Sequence, residues 1–222
     1  MKKAFTMMEL IFVIVVIGIL AAVVIPRTGS NKLNEAALQV VSHIRYTQHL
    51  AMVDDKFNEA PDADEWYKRR WQIIFGTSAS TNDRPAYTIF SDTSGTGEPD
   101  KSEMAKNPLD STKLLSGGYS GTLHTTNDAD EVTKEMNLGY YGITGYSLAG
   151  GCSGARVSFD HLGRPFRGDL SSMTGAYSAG TQRLITSQCT ITLTDSSDNV
   201  AIAIEPETGY ACILNSAGTD CL

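Results

Sequence analysis

The sequence predicts an α+β fold, with one long N-terminal α-helix followed by an antiparallel β-sheet. Three observations lead there. An uncharged apolar run occupies residues 10–25. Apolar residues at helical spacing resume at Leu33, Ala37, Val40, Ile44, Thr47 and Ala51. The rest of the chain alternates short apolar stretches with Gly, Pro, Asn, Asp and Ser clusters, the pattern of strands and turns.

The 222 residues suit one elaborate domain with an appendage. A hydrophobic fraction of 41% is enough for a packed core. Eighteen basic residues face 25 acidic ones, a net charge of −7, which argues against nucleic acid as a default partner. The 39 residues after Arg183 hold no Lys or Arg and five acidic side chains. A mean hydropathy of −0.14 excludes a polytopic membrane protein.

The N-terminus carries most of the functional information. Residues 5–25, helical throughout, make a segment of about 30 Å, the thickness of a bilayer core. Lys2 and Lys3 precede it, so the expected topology is single-pass in the inner membrane, N-terminus cytoplasmic and C-terminal part periplasmic. A secretory signal peptide fits less well, because the apolar run continues past Ala21 and Ala22. A plain signal anchor leaves Glu9 unexplained, since a carboxylate at the head of a spanning segment is costly.

The opening Met1-Lys-Lys-Ala-Phe-Thr-Met-Met-Glu-Leu10, followed by an apolar helix, resembles the class III leader of type IV pilins and type II secretion pseudopilins. The resemblance implies cleavage by prepilin peptidase between Ala4 and Phe5, then N-methylation of Phe5. The chain departs from the family at Ala4, where glycine is preferred before the cut. Glu9 falls at the fifth mature position, where the family places a glutamate for assembly. Pro26 falls where many pilins have a helix-loosening proline. The charge logic is direct: a neighbour's new amine beside Glu9 removes the cost of a buried carboxylate only in the correct stagger.

Beyond Pro26 the residues Gly29, Ser30 and Asn31 predict a bend, and the amphipathic helix ends near Asp54 and Asp55. His43 and His49 lie six apart, the wrong spacing for a shared metal on a helix. Strands are expected at 71–75, 87–90, 156–159, 189–194, 200–204 and 210–213. Residues 91–135 read as one long loop with an apolar island at Leu114 and Leu115. Within it, Asp128, Asp130 and Glu131 have calcium-type oxygens but no EF-hand spacing, and read as a solvated acidic loop. Lys68, Arg69 and Arg70 beside Trp66, Tyr67 and Trp71 read as a solvated strand entry.

Three features of the head resemble the H-type minor pseudopilins: Phe159-Asp-His-Leu-Gly-Arg-Pro165, the closing hairpin at 202–209, and the 43–51 helix followed by the Trp71 strand. The implied architecture is pilin-like: a cleaved leader at 1–4, a helical spine at 5–57 and a β-rich periplasmic head at 58–222. The four cysteines, Cys152, Cys189, Cys212 and Cys221, allow three pairings. The expected one joins Cys212 to Cys221 across a short turn, leaving Cys152 with Cys189 to tie two β segments.

No catalytic residues, metal or cofactor are expected, and the turn around Asp160 and His161 has no accompanying nucleophile motif. The expected function is a minor pilin or pseudopilin, a structural subunit of a type II secretion or pilus-like filament. The expected partners are other subunits, prepilin peptidase, the inner-membrane assembly platform and the lipid bilayer, with no nucleic acid. A DNA-uptake minor pilin is the nearer alternative, and a membrane-anchored periplasmic enzyme or binding protein the more distant one.

Overall fold

The computed structural model describes residues 6–24, 32–57, 65–119, 122–152, 154–176 and 183–222. They fall into two compact units, Met1–Lys32 and Leu33–Leu222. Ala4, Phe5 and Pro26 lie outside the described residues, as does the expected bend at 29–31.

The first unit contains α1, Met7–Val24. The second begins with α2, Lys32–Val53, whose buried face carries Ala36, Ala37, Val40, Val41, Ile44, Thr47 and Ala51. Among the described residues eight strands follow: β1 Trp71–Gly76, β2 Ala86–Ser91, β3 Gly145–Gly150, β4 Arg156–Phe159, β5 Pro165–Arg167, β6 Cys189–Thr194, β7 Asn199–Ile204 and β8 Ala211–Ile213. They build two four-stranded sheets, in the orders β2-β1-β4-β5 and β3-β6-β7-β8, and every pairing is antiparallel.

This corrects the pilin-like expectation of one long helix on one antiparallel sheet. The described helices are separate elements, and the strands divide into two sheets. The division has a visible cause. The segment at 92–144 separates β2 from β3, and β3 pairs with β6 along its whole length, from Gly145 opposite Thr194 to Gly150 opposite Cys189. β3 therefore extends the C-terminal sheet instead of the first one.

The membrane expectation is corrected as well. Among the described residues no helix is long and apolar enough to cross a membrane, so a single-pass inner-membrane protein is not supported. The Thr6 side chain caps α1 and starts it at Met7, and its 18 residues rise about 27 Å, short of the 21-residue span counted from the sequence.

Both sheets and α2 share one core. Val40, Val41 and Ile44 meet Ile73 and Phe75 of β1, Tyr87 and Ile89 of β2, and Val157 and Phe159 of β4 in the same cluster as Ile191, Leu193, Ile202 and Ile204. Period-two alternation sends Ile74 and Phe90 to the opposite face of the first sheet, where Met104, Leu114, Leu123 and Val132 cover them. The stretch read as an open loop is thus a second layer. It also hydrogen-bonds back onto β2, with the Ala105 amide donating to the Ile89 carbonyl at 2.9 Å and the Ile89 amide to the Leu115 carbonyl at 2.9 Å.

α2 is fastened at its C-terminal half by two polar side chains. Arg45 donates to the Ala211 carbonyl from Nε at 3.2 Å and Nη2 at 2.8 Å. Gln48 Nε2 donates to the carbonyls of Gly163 and Thr208, both at 2.8 Å. The second clamp joins the β4–β5 turn to the β7–β8 turn, one from each sheet. Cys152–Cys189 and Cys212–Cys221 are both bonded, with Cα separations of 4.9 and 5.6 Å. The first ties the end of β3 to β6, and the second ties the C-terminus to β8.

Gly209 is the tightest point of the clamp. Its φ is +66°, and a Cβ there would lie 2.4 Å from the Gly163 carbonyl oxygen and 2.6 Å from Gln48 Nε2. Gly218 has a similar φ of +72° with open space around it. Gly209→Ala is expected to cost about 2–3 kcal/mol, strain plus displacement of the clamp, and to lower Tm by roughly 5–10 °C. Gly218→Ala is expected to cost only the strain, about 1–2 kcal/mol. Calorimetry of the two variants side by side checks this, and equal losses would remove the clamp from the explanation.

Candidate assembly site

The functional residues singled out by the sequence centre on Glu9. The structure places Glu9 at the third position of α1, in a reciprocal capping box with Thr6. Glu9 Oε2 accepts from the Thr6 amide at 3.0 Å and from the Thr6 hydroxyl at 2.9 Å, and the Glu9 amide donates to Thr6 Oγ1 at 3.3 Å. Thr6 was not among the expected site residues, although Thr-x-x-Glu ahead of an apolar run is its sequence signature. Position favours the carboxylate too, because the first turn of a helix carries partial positive charge.

Beyond the cap, α1 is apolar on every side. Met7 is 83% exposed, Phe12 70% and Val16, the most covered of the large apolar side chains described in α1, 37%. A helix without a polar face has no orientation in which water is acceptable on one side. Within its own unit nothing covers these side chains among the described residues.

The second unit presents a groove of about 470 Å³ between α2 and two segments of the 92–144 excursion. Gln39, Ser42, His43 and Tyr46 form one wall, and Asn107, Pro108, Leu109, Thr133 and Glu135 the other. His43 is its titratable centre. Its Nδ1 shares a 2.8 Å hydrogen bond with the Tyr87 hydroxyl, and the two rings meet edge to face with centroids 5.6 Å apart. Burial pulls His43 down from 6.5 to about 4, against the opposing charge of Glu135. Tyr87, wholly buried, is pushed well above its usual value by the same desolvation. The pair is thus neutral at pH 7 and serves as packing.

The remaining expected residues do not gather into a site. Asp160 is a turn acceptor: its Oδ1 takes the amides of Leu162 at 3.0 Å and Arg164 at 2.9 Å, and its Oδ2 takes Arg164 Nε at 2.8 Å. His161 lies 3.9 Å from Asp55 and stacks at a tilt on Phe57. Asp128 accepts the His124 amide at 2.8 Å, and Glu131 pairs with Lys101. Lys68 pairs with Glu65 at 2.7 Å, and the guanidinium of Arg70, buried rather than solvated, lies 3.9 Å over Phe166. The four cysteines are in disulfides and belong to the scaffold. Among the described residues no three His, Cys, Asp or Glu side chains form a metal-binding group.

Compared with known proteins, the chain matches no family model, no curated protein and no solved structure.

The His43 burial has a pH consequence. Its folded value lies below the unfolded one, so the unfolded chain binds the extra proton between about 4 and 6.5. The stabilisation is full above pH 6.5 and is lost as pH falls through that window, at no more than about 1.4 kcal/mol per pH unit. His43→Gln is expected to flatten this part of the stability profile, and urea unfolding at pH 4.5, 5.5 and 7 measures it. An unchanged slope in the variant would assign the acid sensitivity elsewhere.

Proposed function

We propose that the chain is a minor subunit of a type II secretion or type IV pilus-like filament, processed between Ala4 and Phe5 and assembled through α1. The observation that carries the reading is α1 itself: an all-round apolar helix, exposed within its unit and headed by Glu9, directly after a leader of class III type. Such a helix demands partners along its whole circumference, and a bundle of equivalent helices supplies them. The reading rests on the leader and α1; the head, with its two sheets, adds no support of its own.

Within this reading Glu9 has two successive roles. In the free subunit its carboxylate caps α1 through Thr6. In the filament the amine of a neighbouring Phe5 offers it a full positive charge, a stronger partner than an amide in surroundings without water. A misplaced stagger would leave both charges without a partner, which is how the pair selects register.

The DNA-uptake alternative has less behind it. Arg156 is drawn into Glu98 and Asp169 at 3.5 and 3.6 Å, and Arg164 into Asp160 at 2.8 Å. A catalytic reading lacks a nucleophile bonded to His43, whose side chain among the described residues bonds Gln39 and Tyr87.

Two measurements test the proposal. Intact mass spectrometry of the protein extracted from cells is expected to give a chain starting at methylated Phe5; a start at Met1 or beyond Ala21 sinks the reading. The second separates cap from charge. Glu9→Gln keeps an acceptor for Thr6, so the helix cap survives while the charge is gone, whereas Thr6→Ala weakens the cap by about 1 kcal/mol and keeps the charge. Glu9→Gln is expected to be processed yet poorly incorporated into sheared filaments, and Thr6→Ala to be incorporated. The reverse pattern would reduce Glu9 to a capping residue.

A further inference from the structure

We propose that residues 92–103 form a calcium-binding loop of EF-hand type, with Asp92, Ser94, Thr96, the Glu98 carbonyl and Glu103 as oxygen ligands and Asp100 acting through water. The twelve residues read Asp92-Thr-Ser-Gly-Thr-Gly-Glu-Pro-Asp-Lys-Ser-Glu103. Oxygen-bearing side chains stand at the first, third, fifth, ninth and twelfth places, with glycine at the sixth, which is the spacing such loops use. Ser94 and Thr96 replace the more usual Asp or Asn, so the set carries fewer charges than a tight cytosolic site.

The backbone follows the same plan. Gly97 has a φ of +81°, and its amide donates to Asp92 Oδ2 at 2.9 Å. Asp100 and Glu103 form a reciprocal capping box on the 3₁₀ turn Lys101–Glu103, which aims the Glu103 carboxylate back over the loop. The candidate ligands lie close together around the loop's inner side: Asp92 Oδ1 to Ser94 Oγ is 3.5 Å, Ser94 Oγ to Thr96 Oγ1 3.2 Å, and Thr96 Oγ1 to the Glu98 carbonyl 3.2 Å. These contacts are hydrogen bonds, and their spacing is also that of adjacent oxygens around an ion bound at about 2.4 Å, roughly 3.0–3.5 Å.

A separate observation points to a cation. Asp92 is fully buried, and among the described residues no Lys, Arg or His forms an ion pair with it. Glu103 is 7% exposed, and it and Asp169 add like charge near Asp92. Arg156 is held on the Gly97 carbonyl, Glu98 and Asp169, and forms no ion pair with Asp92. A buried carboxylate needs a counter-charge or pays heavily in lost hydration. A hard divalent ion inside the loop supplies it, and mixed carboxylate, hydroxyl and carbonyl donors suit calcium rather than a metal sought by His and Cys. The ion would join the end of β2 to the turn before Met104 and Ala105, where the second layer over the first sheet begins.

The test uses the full chain, purified with chelator and held in mild detergent. Equilibrium dialysis against radiolabelled calcium is expected to show one site, with Kd on the order of 10⁻⁴–10⁻³ M, the range of extracellular modules. At roughly ten times Kd, calcium is expected to raise Tm by about 3–5 °C, and magnesium to raise it less. Asp92→Asn and Glu103→Gln keep the hydrogen-bond acceptors and remove the charges. Each is expected to weaken binding roughly tenfold or more, with Tm in chelator unchanged or higher. No binding by the parent chain at millimolar calcium would overturn the proposal. So would a calcium effect that survives in both variants or that magnesium equals.

Discussion

The second unit depends on the docking of α2 onto the core that it shares with both sheets. Its apolar face supplies the bulk of the contact, with Val40 and Ile44 at zero exposure. Burial of that kind is non-directional, so by itself it does not decide how far the helix slides along the sheets. Direction comes from Arg45 and Gln48, three residues apart on one side of α2. Arg45 takes one carbonyl of β8, while Gln48 takes one carbonyl from each of two turns. The three carbonyls are backbone acceptors at the start of β8 and in two turns. A helix displaced by one turn would forfeit all of these bonds, and the part-buried carbonyls of Ala211 and Gly163 would lose their donors.

A similar economy of backbone polar groups explains the 92–136 excursion. A sheet with one face on the core leaves the other exposed, and Ile74 and Phe90 are too large and apolar for water. The excursion covers them with Met104, Leu114, Leu123 and Val132, and satisfies its own backbone by short bridges and 3₁₀ turns rather than by α-helix or ladder. Thr88, on this outer face, meets Ser116 through a 2.8 Å hydroxyl pair and accepts nothing from solvent. The segment therefore contains buried polar groups that are matched one by one, a pattern that leaves little trace in hydropathy.

That is also why part of the fold was legible in the sequence and part was not. α2 announced itself because Leu33, Ala37, Val40, Ile44, Thr47 and Ala51 repeat at a helical period. β6 announced itself because Cys189, Ile191 and Leu193 alternate with threonines. β3 gave no such signal: Gly145, Ser147, Ala149 and Gly150 are small, and only Tyr146 and Leu148 pack on the core. It becomes a strand because β6 offers it a full ladder, a tertiary cause that local propensity does not contain. β5 begins at Pro165, which reads as turn chemistry and is tolerated because β5 is an edge strand. The split into two sheets follows from these two strands, so the single-sheet expectation failed where the local signal was weakest. At the candidate assembly site, Glu9 stood out by its charge, while Thr6 passed as one more small residue before an apolar run.

The two units answer the demand for burial in opposite ways. In the second, both sheets, α2 and the excursion satisfy one another, and the exposed large apolar side chains, such as Leu38, Leu109 and Leu162, are dispersed along its sequence. Scattered exposure of that kind is ordinary for a folded surface. In the first, exposure is continuous from Met7 to Leu20, with Gly18 the only residue in the stretch small enough to let a neighbouring backbone approach closely. A surface so uniform has ample driving force for association and almost no specificity, since any apolar partner in any stagger covers it equally well. Specificity must then come from the few atoms that are not apolar. In α1 those are the Glu9 carboxylate and the Thr6 hydroxyl and amide that hold it in place. In the proposed filament, a charge at one end of an otherwise featureless cylinder would distinguish staggers, because its environment would change as neighbouring helices slide past each other.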